Sequence, residues 1–346
     1  MENIQNMLSA LPDLLLPWYD ENKRDLPWRK NTDPYRVWVS EIMLQQTRVE
    51  AAKSYYIRFL EQLPTVRDLA CCSEEKLLKL WEGLGYYSRA KNMQKGAKQI
   101  LALGGFPDSA ENLKKICGVG EYTAGAVASI AFGKPSPAVD GNVVRVLSRF
   151  LGDARPDKVL RPEYTTLLAP VYPEKRCGDF TQSLMELGAI VCTPRSPSCS
   201  SCPLSALCKT KGDSLPLKKE KPERKISDLT LFVFFDHNGI WLEKRESGVL
   251  NGMWQFFNTQ GTLSSSDAEK YLKEKGLNHF TIGKSKSHKH VFTHLIWNMT
   301  AYPVFTQENL SSLTGFSSLQ YFTKRETLGE ISLPSAFRWC LSLCSF

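Results

Sequence analysis

Four cysteines, Cys192, Cys199, Cys202 and Cys208, follow one another in a C-x6-C-x2-C-x5-C array with Pro194, Pro197 and Pro203 between them. The spacing reads as a small loop wrapped around one metal centre. Thiolates are soft ligands suited to iron–sulfur clusters or zinc, and four is the number either centre requires. A structural zinc site more often joins two C-x2-C units, and here only Cys199 and Cys202 form one. An iron–sulfur cluster is therefore favoured over zinc, with four scattered buried thiols as the bland alternative.

Six further cysteines (71, 72, 117, 177, 340 and 344) would suggest disulfides in an exported chain. The start, Met1-Glu2-Asn3-Ile4-Gln5-Asn6, has no basic region followed by an apolar stretch. No apolar run reaches the roughly twenty residues of a membrane span. Reduced thiols and a cytoplasmic location, nucleoid-associated in a bacterial cell, are expected, with no membrane partner. The formal charge of +8 points towards a polyanion. Half of that excess falls between Lys209 and Lys225, whose Lys218–Lys225 core lacks apolar periodicity and reads first as a solvated linker, second as a nucleic-acid contact.

At 346 residues the chain is longer than a usual single domain. Apolar spacings of three and four, broken by Gly and Pro, predict an all-α domain over 1–208 that ends in the cysteine loop 192–208. A basic linker over 209–228 leads to a smaller α+β domain over 229–346. There, Leu229–Phe235 and Ile240–Leu242 flank His237-Asn238-Gly239 and predict two strands joined by a tight turn. Further β-rich runs cover His290–Trp297 and Thr300–Phe305, with helices expected at Ser266–Lys275 and Pro334–Leu343.

Asp108 and Glu111 form a candidate capping box for a helix ending near Ile116. Cys117-Gly118-Val119-Gly120 then turns the chain into a second helix over Glu121–Phe132. Glycines at such a turn leave N–H groups open at a helix start, where a phosphate oxygen is welcome. Taken alone, an ordinary interhelical turn explains the same residues.

Several ordered motifs surround that hairpin: Leu26-Pro27-Trp28-Arg29, Pro34 to Thr47 with its Ser40-Glu41-Ile42-Met43-Leu44-Gln45-Gln46 core, Gly83-Leu84-Gly85-Tyr86-Tyr87-Ser88-Arg89-Ala90, Gly118-Val119-Gly120-Glu121-Tyr122-Thr123-Ala124, and Val139-Asp140-Gly141-Asn142-Val143. With the cysteine loop, they closely resemble the adenine DNA glycosylases of the helix-hairpin-helix family, sisters of endonuclease III. The resemblance is dense from Trp18 to Cys208. It implies a monomeric [4Fe–4S] protein that flips adenine out of its pair with 8-oxoguanine or guanine in double-stranded DNA and hydrolyses its N-glycosidic bond.

Breaking that bond needs an acid at the base and a negative charge near an oxocarbenium-like sugar. Trp38, Glu41, Gln45 and Arg48 share one helical face by spacing. Burial should raise the pKa of Glu41 and keep its proton available for adenine N7, with Arg48 opposing this. Asp140 precedes a helix start, where backbone N–H groups and the helix end should keep it ionised and facing the developing cation. The bland readings are a surface glutamate in an exposed ion pair and a simple N-cap.

In endonuclease III relatives a lysine stands at the position of Tyr122 and attacks the sugar as an amine. A phenol cannot, so a monofunctional enzyme using water is expected, with Tyr122 hydrogen-bonded to a catalytic carboxylate or the sugar, or simply packing one helix on another. Flipping requires a wedge, for which Gln45, Leu84, Tyr86 and Tyr87 are suited. The resemblance puts Gln45 and Tyr86 beside the lesion, Arg29 at the adenine pocket and Asn142 in support of Asp140. More loosely, the carboxy-terminal part resembles the Nudix-like 8-oxoguanine-sensing domain of the same enzymes. It lacks the metal-binding glutamates of a Nudix box after Trp254-Gln255-Phe256, so it is expected to bind without hydrolysing. Phe292-Thr293-His294 falls where the family carries a Phe-Ser-His loop, a strand being the alternative.

Two departures stand out: Cys117 replaces the proline usual before the hairpin glycines, and Val144 stands where some relatives have a lysine prone to trapping sugar aldehydes. A bifunctional endonuclease III-like enzyme and a non-catalytic lesion-binding protein remain the competing readings.

Overall fold

Local signals in the first half of the chain set its helices. The computed structural model describes residues 2–216, 223–329 and 331–344. Its helices are α1 (Glu2–Ser9), α2 (Leu11–Asn22), α3 (Pro34–Leu44), α4 (Val49–Gln62), α5 (Val66–Cys71), α6 (Glu74–Leu80), α7 (Ser88–Ala102), α8 (Ala110–Leu113), α9 (Glu121–Phe132), α10 (Gly141–Leu151), α11 (Asp157–Leu168) and α12 (Cys177–Ile190). Asp33 caps α3 by accepting from the Arg36 N–H at 2.9 Å, with Pro34 at the first position, where its missing N–H costs nothing. Thr65 and Asp68 form a reciprocal capping box on α5.

The chain divides into two units, Met1–Cys72 with Ser88–Glu220, and Ser73–Tyr87 with Lys221–Phe346. In the first, α12 packs against α2, α9 and α10. Val143, Val146, Leu147 and Phe150 of α10 bury against Phe180, Leu184 and Leu187 of α12 and Leu11 and Leu15 of α2. Each such side chain contributes about 1.5–3 kcal/mol by leaving water. Val144 is buried in the same core, so its side chain is closed to a sugar aldehyde. Gly188 lets α12 approach the start of α10: a Cβ there would lie 2.6 Å from the Asn142 Cβ.

The hairpin departs from its expected cap. Ser109, not Asp108, caps α8, and the helix ends at Leu113 because the chain tightens into turns through Ile116. Gly118 has φ +79° and abuts Asn92, which excludes a side chain. The Cys117 N–H donates to Gln99 Oε1 at 2.6 Å, a bond that a proline could not make. The cysteine therefore gives the hairpin a tether where the family's usual residue gives stiffness.

The second unit is built on a mixed sheet. Its strands are β1 (Lys225–Phe235), β2 (Gly239–Lys244), β3 (Trp254–Gln255), β4 (Phe257–Gln260), β5 (Thr281–Ile282), β6 (Lys286–Val291), β7 (Leu295–Phe305) and β8 (Gln320–Thr323), with α13 (Ser265–Glu274), α14 (Lys324–Gly329) and α15 (Ser335–Arg338). The path runs β3-β2-β1-β7-β5, with β4 on β1, β6 on β7 and β8 on β2. Leu229, Leu231, Val233 and Phe235 of β1 face one apolar cluster, while Phe232 and Phe234 face another under α13. Burial on both faces explains why this strand reads as a continuous apolar run.

Several sequence expectations change here. The Asn238-Gly239 turn forms, with Asp236 accepting from the Asn238 and Gly239 N–H groups at 2.8 Å, yet β1 and β2 share only the Phe235–Ile240 pair. β1 instead runs parallel to β7 along its whole length and antiparallel to β4. The His290–Trp297 run is two strands, because Phe292-Thr293-His294 turns the chain and the Phe292 N–H donates to the Leu295 carbonyl at 2.8 Å. The helix expected over Pro334–Leu343 is α15 followed by a 3-10 stretch, Trp339–Leu343. Of the basic segment, residues 217–222 lie outside the described residues, and β1 already begins at Lys225. Among the described residues no helix is long and apolar enough to cross a membrane.

Gly188→Ala should lower the midpoint of thermal unfolding. The helix-propensity gain of about 1 kcal/mol is smaller than the roughly 1–3 kcal/mol of overpacking against Asn142. An unchanged or raised midpoint in a melting experiment would contradict the close approach of α12 to α10.

Candidate active site

A cavity of about 490 Å3 opens in the first unit, and its walls include Arg29, Glu41, Gln45, Tyr122, Asp140 and Asn142. Its size is that of an ordinary small-molecule pocket. The expected residues converge from separate elements. Glu41 comes from α3, almost every residue of which is buried from Tyr35 to Met43. Tyr122 is the second residue of α9, placed there by the hairpin turn, and its hydroxyl donates to Glu41 Oε2. Gln45 follows α3 and donates to Thr123 Oγ1 at 3.3 Å. The hairpin residues Gly118, Val119 and Gly120 are not among the cavity walls. Gly120 caps α9 with no side-chain acceptor, which leaves the first N–H groups of α9 open to a ligand.

Burial raises Glu41 to about 7, helped by the negative Asp140; the Tyr122 hydroxyl and Arg29 pull the other way. The opposing cation is thus Arg29 and not Arg48. α3 ends at Leu44, Gln46 takes φ +63°, and Arg48 is the N-cap of α4, so the helical face stops short of it. The Arg89 guanidinium fixes this end of α3 by donating to the carbonyls of Ile42, at 2.7 Å, and of Gln45. Tyr122 stays neutral: burial and the neighbouring carboxylates push its phenol well above its ordinary value.

Asp140 caps α10, with Oδ1 accepting from the Val143 N–H at 2.8 Å and Oδ2 from Asn142 Nδ2 at 2.9 Å. The donors expected to keep Asp140 ionised are present, and burial opposes them. Burial raises it, and this outweighs the lowering by the Val143 and Asn142 donors and by Arg161. Asn142 is itself held by Arg145, which donates to Asn142 Oδ1 and to the carbonyls of Gly188 and Cys192, each at 2.8 Å.

Sequence reading missed a group of charged wall residues. Glu186 of α12 accepts from Arg24 and Arg29 at 2.8 Å, and Arg29 also donates to Gln182 Oε1 at 3.0 Å. Burial opposes ionisation of Glu186, but the two guanidiniums hold it down at about 2. Its signal was the Gln182/Glu186 pair one turn apart on a helix whose Phe180, Leu184 and Leu187 mark the buried face. Arg161, which donates to the Val139 carbonyl at 2.6 Å, had none.

Cys192, Cys199, Cys202 and Cys208 line a second cavity together with Arg149, Phe150 and Pro197. All four are free thiols. Among the described residues no three His, Cys, Asp or Glu side chains are close enough to share a single ion. A loop whose four thiols line one cavity offers the donor set of an iron–sulfur cluster. Burial and the neighbouring thiols push Cys202 up to about 11, so thiolates there require bound metal. Arg149 is 2% exposed and donates to Cys192 Sγ at 3.4 Å and to the carbonyls of Thr193 and Leu215 at 2.8 Å.

In the second unit Leu84 and Tyr87 are buried, whereas Tyr86 is 46% exposed with φ +48°. The Tyr86 and Thr293 hydroxyls are hydrogen-bonded. Thr293 and His294 are exposed at their turn, while the Phe292 ring packs edge-on against Trp297 at 4.8 Å. Of the acids of α13, which follows Trp254–Phe256, Asp267 is bonded to Ser264, Glu269 pairs with Lys273 and Glu274 with Lys270.

Comparison with known proteins gives the family and the domains. The adenine DNA glycosylase of Buchnera aphidicola subsp. Acyrthosiphon pisum (strain APS) is 36% identical over 296 residues, covering 82% of this chain and 83% of its own length. The chain belongs to the adenine DNA glycosylase family. Those of Arabidopsis thaliana (38% identical, 81% of this chain, 55% of its own) and Homo sapiens (46%, 59% and 40%) are longer. The chain therefore spans about half the length of these two relatives. Residues 39–166 match the HhH-GPD superfamily base excision DNA repair protein, 192–208 the iron–sulfur binding domain of endonuclease III, and 230–343 the NUDIX domain. Among solved structures, a thermostable thymine-DNA glycosylase superposes with TM-score 0.55 at 30% identity, covering 59% of this chain and 96% of its own. A non-covalent endonuclease III–DNA complex gives 0.51 at 27%, covering 60% and 95%. The match to the iron–sulfur binding domain of endonuclease III supports a [4Fe–4S] cluster, and the matched segment spans Cys192, Cys199, Cys202 and Cys208.

Purified protein should contain about four irons per chain and no zinc, measured by metal analysis alongside its visible absorbance; stoichiometric zinc would contradict the assignment. Glu41→Gln should gain stability relative to the parent as pH rises. A carboxyl whose pKa rises from 4.5 to about 7 on folding contributes stability below 4.5 that is lost as pH passes through 7. Between pH 5.5 and 8 the gain should reach about 2 kcal/mol. Urea unfolding at both pH values checks this, and a pH-independent difference would mean that Glu41 titrates normally.

Proposed function

We propose that this protein is a monofunctional base-excision glycosylase that removes adenine from its pair with 8-oxoguanine or guanine in double-stranded DNA, acting as a monomer. The observation that carries the reading is a buried carboxyl near pKa 7, Glu41, facing a second carboxyl of different surroundings, Asp140, across one cavity. Glu41 holds its proton near neutral pH and donates it to adenine N7. The C1′–N9 bond then breaks, its electron pair leaves with the base, and positive charge develops on the sugar. That cation favours the ionised form of Asp140, which stabilises it in turn. Water adds at C1′ and gives its proton to the Glu41 carboxylate, leaving free adenine and an abasic site.

Tyr122 orients the Glu41 carboxyl and, being a neutral phenol, offers no amine to trap the sugar. This disfavours the endonuclease III-like lyase reading. The intact carboxyl pair disfavours a purely lesion-binding protein. Arg29, Gln45 and Asn142 line the adenine pocket, and the open N–H groups after Gly118, Val119 and Gly120 grip a phosphate. Leu84 and Tyr86 form the wedge, with the exposed Tyr86 ring entering the duplex and buried Leu84 bracing it. The exposed Thr293 and His294, beside Phe292, contact the oxidised guanine. The absence of a described helix able to cross a membrane is consistent with a cytoplasmic or nucleoid location.

Single-turnover assays on a duplex with adenine opposite 8-oxoguanine should give strand cleavage only after alkali. Asp140→Asn and Glu41→Gln should each slow adenine release by at least about 100-fold. The parent rate should fall about tenfold per unit above pH 7, as Glu41 loses its proton. Near-normal release by either variant, or cleavage without alkali, would overturn the assignment.

A further inference from the structure

The segment that carries the wedge candidates belongs structurally to the carboxy-terminal unit. Residues 73–87 fall inside the 39–166 match to the glycosylase family, yet they form one unit with 221–346. Polar contacts hold α6 there. Lys79 Nζ donates to the Ile331 carbonyl at 2.9 Å, Ser332 Oγ to the Leu78 carbonyl at 3.3 Å, and Trp254 Nε1 to Glu75 at 3.3 Å. The Glu82 carboxylate, only 8% exposed, is bracketed by Arg338, at 2.7 Å, and Lys79, at 3.2 Å.

From that buried carboxylate the chain enters a loop with little freedom. Gly83 and Gly85 take φ +100° and +70°, Tyr86 takes +48°, and the fully buried Trp81 donates Nε1 to the Gly85 carbonyl at 3.1 Å. The exposed Tyr86 ring therefore has its direction set by a backbone rooted at Trp81 and Glu82. Its hydroxyl meets Thr293, so the Gly83–Tyr87 loop and the Phe292–His294 turn are parts of one body.

We propose that Arg338 is a positioning residue for mispair preference: by holding Glu82 it keeps the Gly83–Tyr87 loop in register with the Phe292–His294 turn, and it takes no part in bond cleavage. The inference rests on the reading of these two segments as lesion contacts. A buried carboxylate that loses one cation keeps its desolvation cost and turns elsewhere for a partner, and the glycine-rich loop beyond it follows. Misplacement on the order of 1 Å can cost about 100-fold in rate, so a partial loosening is readable.

The test uses the full-length, cluster-loaded protein and single-turnover adenine release from duplexes with adenine opposite 8-oxoguanine and opposite guanine. Arg338→Gln should slow both duplexes through the displaced Tyr86 and slow the 8-oxoguanine duplex about tenfold more than the guanine duplex, narrowing the preference. The charge swap Arg338→Glu with Glu82→Arg should restore much of it. Lys79→Gln, which removes the second cation, should move the preference in the same direction and supplies the readout where Arg338→Gln fails to fold. Equal loss on both duplexes, or unchanged rates in both single variants, would overturn the inference. Failure of the parent protein to release adenine from either duplex would instead overturn the glycosylase reading itself.

Discussion

The burial of Glu41 against the Tyr122 hydroxyl is the constraint on which the rest of the first unit depends. A carboxyl at about 7 needs to be out of water, and that requires an α3 buried on nearly all sides. It also requires α9 to begin at the right height for its second residue to reach Oε2. The first condition is met by the Asp33-Pro34 start of α3 and by Arg89 on its terminal carbonyls. The second is met by the hairpin, where Gly118 and the tether from Cys117 to Gln99 fix where α9 starts. The turn that leaves the first N–H groups of α9 without a side-chain acceptor is thus also the turn that aims Tyr122.

Charge is distributed around the cavity so that three carboxylates behave differently. Glu186 is held low by two guanidiniums, Glu41 is raised by burial, and Asp140 is raised by burial against four lowering influences. Arg29 serves both sides, pairing with Glu186 while opposing the upward shift of Glu41. Removing Arg29 would leave Glu186 with Arg24 alone and let Glu41 rise further. Behind Asp140, Asn142 and Arg145 lead to the carbonyl of Cys192, so the cluster loop braces the residue that caps α10.

Much of this was legible in the sequence because it is local. The cysteine array, the α-then-α+β order and the N-cap role of Asp140 follow from spacing and short-range chemistry, and the motif around Glu41 singled out the acid. What was not legible depends on partners distant in sequence. Arg48 looked like the opposing cation on a helical face, but α3 stops at Leu44, and Arg29 takes that part. The helix end that favours the Asp140 carboxylate is visible in sequence, and the burial that raises its pKa is not. The Asn238-Gly239 turn predicted a hairpin, and the turn exists, but β1 finds its long partner in β7, some seventy residues away. The grouping of residues 73–87 with the carboxy-terminal unit had no local signal, since Lys79, Glu82 and Arg338 are ordinary surface residue types.

The most direct measurement of the central claim is a carbon-13 NMR titration of protein labelled at glutamate side-chain carboxyls, with the Glu41 resonance assigned by its loss in Glu41→Gln. The account predicts that this signal titrates near 7, well apart from the other glutamates. Titration near the ordinary 4.5 would mean that burial does not hold the proton, and the acid role of Glu41 would fall with it.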